Sequence, residues 1–399
     1  MGGRRRAALV CLVVALLGIS QFPAGAAEKP LVLKVFSQLA TTPTLADPSV
    51  IVLDEKTGEV VFESNSNSPR KPASVIKLVS AAAAYTYLSP ADSYTTSLWA
   101  GVDSQSVVIQ GSLDPWISYD HKVAVKMSRT SLERIEYNAL SKIKELNSGS
   151  TKDAVIYYSD LYSQDVTHIK KFLASRAPSI TVKRLTAQQA LNKSSEYILG
   201  STSPTLEKIV DWTLIWSDNL LAERVARLAS LAAGNTLDDA GVAKTFKALL
   251  TEMKIDTKNL VVKDASGLSK QNRMTAKQVA QLLFLIYHDP KFAPLVEGLP
   301  VGGVSGTLQN RFLETAPEAV GLVRAKTGTL NGTTNLAGFV ESGENHYIFV
   351  VIADRHSKSY TVTKKVRATV DRILGKIATP LLPVLVPLTP SSESVTITN

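Results

Sequence analysis

Residues 72–84 read PASVIKLVSAAAA and combine a helix start with a pair of reactive side chains. Pro72 suits the first turn of a helix, and the alanine run behind it is strongly helix-forming. Ser74 and Lys77 are three residues apart, which places both side chains on one face of a helix. A lysine whose pKa is lowered by burial or by a nearby cation can take the serine proton. Unpaired N–H groups in the first turn suit an oxyanion.

The Ser-x-x-Lys spacing alone is weak evidence for a nucleophile and its base. It also occurs at Ser68–Lys71 and at Ser141–Lys144, and only the copy at Ser74 is followed at once by an apolar helix. The interpretation therefore depends on whether the rest of the chain supplies partners for Ser74 and Lys77.

Length and composition favour an ordinary globular protein. The chain has 399 residues, 45% of them hydrophobic and 20% charged, which suggests about two domains. Lysines and arginines exceed acidic residues by nine, and without the three arginines near the N-terminus the excess falls from +9 to +6. This excess favours an anionic cell envelope and is no signature of nucleic-acid binding.

Residues 1–27 have the features of a secretory signal peptide. Three arginines precede an apolar segment at 7–19, and Ala24-Gly25-Ala26 is a plausible cleavage site. An uncleaved anchor is the alternative, but the apolar segment is shorter than the roughly 20 residues of a membrane span. We expect a secreted, extracytoplasmic protein (periplasm or cell envelope) without a stable transmembrane span. Cys11 is the only cysteine, so the mature chain has no disulfide.

The hydrophobic patterns predict an α/β (α+β) fold built on one antiparallel sheet. A hairpin at 49–63 and three β-rich segments between 321 and 354 give about five strands. We expect the closing helix, 363–377, on one face and an α-helical subdomain, including the Ser74 helix, on the other. We expect residues 95–198 to be inserted between two parts of this domain.

Residues 95–198 alternate strand and helix patterns, which indicates a small inserted α/β domain. The predicted organisation is therefore a signal peptide at 1–27, a main domain split between 28–94 and 199–378, an insertion at 95–198, and a tail at 379–399. The tail is rich in Pro, Ser and Thr, which is typical of loosely ordered ends.

Ser217-Asp218-Asn219 lies between two predicted helices, 205–216 and 220–233. Ser217 and Asn219 are two residues apart and cannot share a helical face, so they would point together only from a loop. Ser, Asp and Asn are also good helix caps, and a plain helix junction is the alternative interpretation.

Lys326-Thr327-Gly328-Thr329 ends a predicted strand just before a Gly/Asn turn. An edge strand here could pair with an extended peptide. Lys326 offers a cation and the two threonines offer hydroxyls for a carboxylate, while Gly328 leaves room for close approach. A second Lys-Thr-Gly at 56–58 is simply a hairpin turn, so this motif alone is also weak.

The three motifs together, in this order and on these elements, are typical of penicillin-binding proteins and β-lactamases. The chain resembles the D-alanyl-D-alanine carboxypeptidase/endopeptidase family, the class C low-molecular-mass penicillin-binding proteins with a serine penicillin-recognising, β-lactamase/transpeptidase-like fold. Segments 72–79, 264–273, 299–308 and 324–330 carry the resemblance. It covers about residues 45–375 and is strongest outside the insertion.

The resemblance implies a serine-type D-alanyl-D-alanine carboxypeptidase, with endopeptidase activity as a second expectation, acting on peptidoglycan stem peptides. Ser74 would attack the D-Ala–D-Ala bond, Lys77 would act as general base, and Ser217 would relay a proton to the leaving amine. The N–H groups of Ser74 and Thr329 would form the oxyanion hole. β-Lactams would inhibit covalently, and neither a metal nor a cofactor is required. The implied substrate-binding residues are Asn219, Lys326, Thr327, Gly328 and Thr329.

Three alternatives stay open at this point. A catalytically weak or inactive penicillin-binding scaffold of the cell wall would keep the fold without turnover. A β-lactamase would share the motifs but needs a group that activates the deacylating water, and the sequence assigns none. A Ser-His-Asp hydrolase is disfavoured because none of the five histidines accompanies a Gly-x-Ser-x-Gly elbow.

Overall fold

The computed structural model describes residues 28–380, so the expected signal peptide and residues 381–399 of the expected tail lie outside the described part. The helices are α1 (Lys29–Ala40), α2 (Lys77–Tyr87), α3 (His121–Lys126), α4 (Leu132–Leu146), α5 (Ser163–Arg176), α6 (Ala187–Lys193), α7 (Leu206–Trp216), α8 (Asn219–Ala232), α9 (Asp239–Glu252), α10 (Ala276–His288), α11 (Ala293–Glu297) and α12 (Tyr360–Gly375). The strands are β1 (Ser49–Asp54), β2 (Val60–Ser64), β3 (Thr95–Gly101), β4 (Ser106–Gly111), β5 (Ile117–Ser118), β6 (Thr130–Ser131), β7 (Val155–Ser159), β8 (Thr181–Arg184), β9 (Ser194–Thr202), β10 (Val323–Leu330), β11 (Thr333–Ser342) and β12 (Asn345–Ala353).

The main sheet is five-stranded and antiparallel, in the order β10-β11-β12-β1-β2. The first hairpin pairs with the last strand, from Ser49 opposite Ile352 to Asp54 opposite Tyr347. The predicted fold class, a five-stranded antiparallel sheet flanked by helices, is confirmed. Because the order starts at β10, the strand that carries Lys326–Thr329 lies at the edge of the sheet.

Both faces of the main sheet are covered, which explains why its central strands are apolar throughout. Along β12, Ile348 and Ile352 face the helical subdomain, whereas Phe349 and Val351 face α1 and α12. This alternation follows from the two-residue period of a strand. Helix α1 has 12 residues and buries Val32, Val35, Phe36 and Leu39.

A second five-stranded sheet, in the order β8-β7-β4-β3-β9, is built by the segment after α2. β4, β7 and β8 run parallel, and β3 runs antiparallel to both β4 and β9. The sequence did not reveal β9, because residues 194–202 are exposed or half-buried with no alternation to signal a strand. β9 pairs with β3 as far as Thr202, and the chain then enters α7.

A buried ion pair fastens this second sheet to the helical subdomain. Arg224 of α8 donates to the Asp165 carboxylate of α5, and both side chains are fully buried. Arg224 also donates to Tyr119 Oη at 3.0 Å, and Tyr119 Oη donates to Asp165 Oδ1 at 2.9 Å. In return, Tyr162 Oη donates to the Arg224 carbonyl oxygen at 3.1 Å. The inserted segment therefore rests on α8.

Two properties of residues 28–380 bear on function. None of their helices combines the length and the apolar character needed to cross a lipid bilayer. These residues also bring together no group of three or more His, Cys, Asp or Glu side chains that could hold a metal ion.

Candidate active site

Ser74 lies in a short 3₁₀ turn, Ala73–Ile76, that leads directly into α2. The sequence predicted one helix from Pro72 onward, and the structure replaces its first turn by this tighter one. Ala73 has a φ of 46°, in the left-handed region that non-glycine residues rarely adopt. Asn335 of β11 holds the approach to the turn, donating from Nδ2 to the carbonyl oxygens of Lys71 at 2.9 Å and Pro72 at 2.8 Å.

The Lys77 amine lies at the centre of the site, fully buried beneath Ser74. Its Nζ is 2.8 Å from Ser74 Oγ, 2.8 Å from Asn219 Oδ1 and 2.5 Å from the Ser266 carbonyl oxygen. A neutral amine has two N–H donors and one lone pair. In the structure Nζ donates to all three oxygens, and the Ser74 hydroxyl lies 3.3 Å from the Ser266 carbonyl oxygen, to which it donates. Once the amine has lost a proton, the amide and carbonyl oxygens, which can only accept, take its two N–H groups, and the lone pair is left for the Ser74 hydroxyl. This arrangement suits proton transfer from Ser74 to Lys77.

Burial makes the neutral form of Lys77 accessible near physiological pH. Desolvation lowers the pKa of Lys77 from 10.5 to about 8, although the carboxylates of Glu223, Asp218 and Asp264 act in the opposite direction. The amine is thus poised to gain or lose a proton in the range in which a general base works best.

Ser217-Asp218-Asn219 forms the junction between α7 and α8. Ser217 ends α7 with a φ of 59°, and the Asp218 side chain caps α8 by accepting from the Leu221 N–H at 3.1 Å. The cap interpretation therefore holds for Asp218, while the neighbouring Asn219 reaches Lys77. Arg129 of the inserted segment pairs with Asp218 at 3.4 Å, so the insertion also contacts this junction.

Thr327 and Thr329 on edge strand β10 face the site cavity, and Thr327 Oγ1 donates to Thr307 Oγ1 at 2.9 Å. Gly328 packs on the serine turn, where a Cβ would lie 2.8 Å from the Pro72 carbonyl oxygen. Gly328 therefore lets β10 approach Ser74 closely. Its expected contact with substrate stays a prediction.

Lys326 is fully buried, and its Nζ donates to the Thr327 carbonyl oxygen at 3.2 Å. Burial and the neighbouring Lys77 cation lower the pKa of Lys326 well below its ordinary value. The sequence interpretation made Lys326 the source of positive charge in the site. Burial opposes a positive charge on Lys326, and its expected role stays a prediction.

The loop at 264–272 supplies contacts that residue-type reasoning missed. Glu223 Oε1 accepts from the N–H groups of Ala265 at 3.0 Å and Ser266 at 2.8 Å, which aims the Ser266 carbonyl at Lys77. Gly267 has a φ of +87°, and a Cβ there would lie 2.0 Å from the Ala73 carbonyl oxygen. The sequence did contain one signal that Glu223 belongs to the site. Glu223 follows Asn219 by four residues, so the two side chains share one face of a helix.

A cavity of about 560 Å³ opens above Ser74. A separate groove of about 610 Å³ between α4 and α5 shares none of its lining residues, and its serine, Ser175, donates to the Phe172 carbonyl oxygen at 3.0 Å. The cavity above Ser74 is therefore the candidate active site, because it contains the nucleophile and lies above its base. Its lining includes Ser74, Ser217, Asn219, Thr307, Asn310, Arg311, Thr327, Thr329, Asn335 and Arg367.

Comparison with known proteins agrees with this geometry. Residues 32–140 and 150–377 match the model of the D-Ala-D-Ala carboxypeptidase 3 (S13) family. The chain belongs to this family. The S13 family is a family of serine peptidases, so the predicted family and enzyme class are both confirmed.

Two curated relatives of this S13 member carry carboxypeptidase names. The chain is 27% identical over 332 residues to "Carboxypeptidase DacB" of Mycolicibacterium smegmatis, covering 72% of each chain. It is 35% identical over 171 residues to the "D-alanyl-D-alanine carboxypeptidase" of an Actinomadura species, covering 41% of this chain and 31% of the relative. Penicillin binding protein 4 from Haemophilus influenzae shares the fold, with a TM-score of 0.63 and 17% identity over 85% of this chain and 98% of that one.

Proposed function

We propose that this S13 carboxypeptidase cleaves the terminal D-Ala–D-Ala bond of peptidoglycan stem peptides through an acyl-enzyme on Ser74. The observation that carries the proposal is the 2.8 Å contact between Lys77 Nζ and Ser74 Oγ. The other two hydrogen-bond partners of Nζ are Asn219 Oδ1 and the Ser266 carbonyl oxygen. The proposal places the protein outside the cytoplasm, where peptidoglycan is found.

In the acylation step, Ser74 Oγ attacks the carbonyl carbon of the penultimate D-Ala while its proton moves to Lys77 Nζ. The resulting oxyanion accepts hydrogen bonds from the N–H groups of Ser74 and Thr329. The proton then passes through Ser217 to the leaving nitrogen, the C–N bond breaks, and D-Ala departs. Water hydrolyses the ester and restores Ser74.

Substrate binding would use the edge of β10 and the amide of Asn219. The inner side of β10 pairs with β11, and near its start the N–H of Ala325 donates to the Pro300 carbonyl oxygen at 2.9 Å. An extended peptide could continue this outer pairing past Thr327 and Thr329. Since Asn219 Oδ1 serves Lys77, its Nδ2 group is the part left to donate to a substrate carbonyl.

The contacts of Glu223 argue against a β-lactamase. One carboxylate oxygen is held by two backbone N–H groups, and the other accepts from Arg227 at 3.3 Å. A carboxylate committed in this way is not available to activate a deacylating water. We therefore expect β-lactams to acylate Ser74 and to remain bound as slowly hydrolysed esters.

The test is covalent labelling of the protein with a fluorescent penicillin, followed by intact-mass measurement. Wild-type protein should gain one adduct, and Ser74→Ala should gain none while keeping its circular dichroism spectrum. Ser141→Ala, which alters another Ser-x-x-Lys copy on exposed α4, is the matched control and should label normally. Failure of the wild type to label, or equal labelling of Ser74→Ala, would refute the acyl-enzyme.

Release of D-Ala from an N-acylated peptide that ends in D-Ala-D-Ala distinguishes an active carboxypeptidase from a catalytically inactive penicillin-binding scaffold. The proposal requires release by the wild type and by Ser141→Ala, with none by Ser74→Ala. Labelling without any release of D-Ala would instead identify a catalytically inactive penicillin-binding scaffold.

A further inference from the structure

Arg367 of α12 projects into the cavity that contains Ser74 and is half-buried there. Its Nη2 donates to Thr329 Oγ1 at 3.2 Å, next to the proposed substrate-binding edge. Within residues 28–380, no carboxylate lies within ion-pair distance of its guanidinium. Arg367 is thus a partly desolvated cation that lines a cavity, and the carboxylate that acts on its charge, Asp371, is already paired with Arg311.

The neighbouring arginine, Arg311, differs because its charge is already balanced. Arg311 pairs with the Asp371 carboxylate, which also accepts from Thr315 Oγ1 at 3.2 Å. Arg311 further donates to the Arg367 carbonyl oxygen at 3.4 Å, which fastens this turn of α12 beside the cavity. The positive charge free to meet a ligand is therefore that of Arg367.

We propose that Arg367 binds the α-carboxylate of the residue that follows the scissile bond, with the hydroxyls of Thr327 and Thr329 alongside. This inference rests on the proposed function and names the feature of the substrate that the site selects. A guanidinium is always protonated, and its planar fork of N–H donors matches a carboxylate. A half-buried cation also gains from a ligand of opposite charge, because the ligand replaces the water that burial removed.

Lys326, the other cation near this edge, is poorly placed for the same task. It is fully buried, does not line the cavity, and directs its Nζ to the Thr327 carbonyl oxygen. Burial and Lys77 lower the pKa of Lys326. Burial and Arg311 lower the pKa of Arg367 as well, but a guanidinium starts from a far more basic value and keeps its proton. The assignment therefore moves carboxylate recognition from the Lys-Thr-Gly lysine to the C-terminal helix.

The experiment compares two substrates that differ only in charge: an N-acylated peptide ending in D-Ala-D-Ala and the same peptide with a C-terminal amide. Arg367→Gln should lower kcat/KM for the acid by about tenfold to a hundredfold, the usual contribution of a hydrogen bond to a charged group. Its kcat/KM for the amide should stay within about twofold, because the lost interaction is specific to charge. Arg372→Gln removes a charge from the exposed side of the same helix and should change neither value.

An equal loss of kcat/KM for both substrates would overturn the inference, because it would mean that Arg367 only supports Thr329. Binding gives a readout that does not need turnover. On a Ser74→Ala background, calorimetry should show weaker binding of N-acetyl-D-Ala-D-Ala, but not of its amide, when Arg367→Gln is added.

The two readouts separate failure of the inference from failure of the proposed function. A wild type that hydrolyses neither peptide, combined with an Arg367-dependent difference in binding, would refute the function and keep the carboxylate site. Binding of acid and amide that does not respond to Arg367→Gln would refute the site, whatever the catalytic result.

Discussion

The pKa of Lys77 determines how the acylation rate of Ser74 should depend on pH. Only the neutral amine can accept the serine proton, so raising the pH activates the base and the rate rises. With a pKa of about 8, the neutral fraction grows from about 9% at pH 7 to about 91% at pH 9, a tenfold increase. A lysine at its ordinary value of 10.5 would give about a hundredfold increase over the same interval, without a plateau.

Stopped-flow acylation with a penicillin measures this profile directly, because the penicillin carboxylate does not titrate between pH 7 and 9. Thermal unfolding at each pH checks that the protein stays folded. A rate that is flat between pH 7 and 9 would refute Lys77 as the base, and a hundredfold rise would refute the lowering of its pKa by burial. Glu223→Gln adds a test of direction: its negative charge raises the pKa of Lys77, so removing it should move the midpoint to lower pH.

Two substitutions test the supports of the site. Gly267→Ala places a Cβ 2.0 Å from the Ala73 carbonyl oxygen and should abolish labelling by penicillin. The control is Gly234→Ala, which also has a positive φ but no atom within 4 Å of the added Cβ, and it should label normally. Equal labelling of both variants would contradict the predicted clash. Arg224→Ala leaves Asp165 buried without its cation and should lower the free energy of unfolding by about 3–5 kcal/mol. Urea denaturation measures this loss, and a change below about 1 kcal/mol would show that the buried pair does not anchor the insertion.

The main sheet could be predicted because its signals are local. Runs of β-forming residues separated by glycine-containing turns define the hairpin at 49–63 and the strands after 321, and apolar periods define the helices. β9 carried no such signal because a strand with one weakly buried face lacks alternation. The motif residues Ser74, Lys77 and Asn219 could be identified because their spacing and order are unusual, and the structure brings their side chains together.

Other parts of the site are invisible in a single sequence for physical reasons. The third contact of Lys77 is the carbonyl oxygen of Ser266, and every residue has a carbonyl, so residue type says nothing about it. Arg367 enters the cavity only because α12 packs on the far side of the main sheet, beyond Thr329. The sequence predicted a close approach at Gly328 but could not show that the approaching backbone is the carbonyl of Pro72.

Helix α8 carries the chemistry and the insertion on adjacent residues. Asn219 at its start and Glu223 one turn later support Lys77, and Arg224, the next residue, is the anchor of the inserted segment. Side chains of successive helical residues point about 100° apart, so α8 contacts the catalytic site and the inserted segment from different sides. The insertion and the catalytic site therefore share α8, and a chimera that exchanges the insertion must replace Arg224 as well.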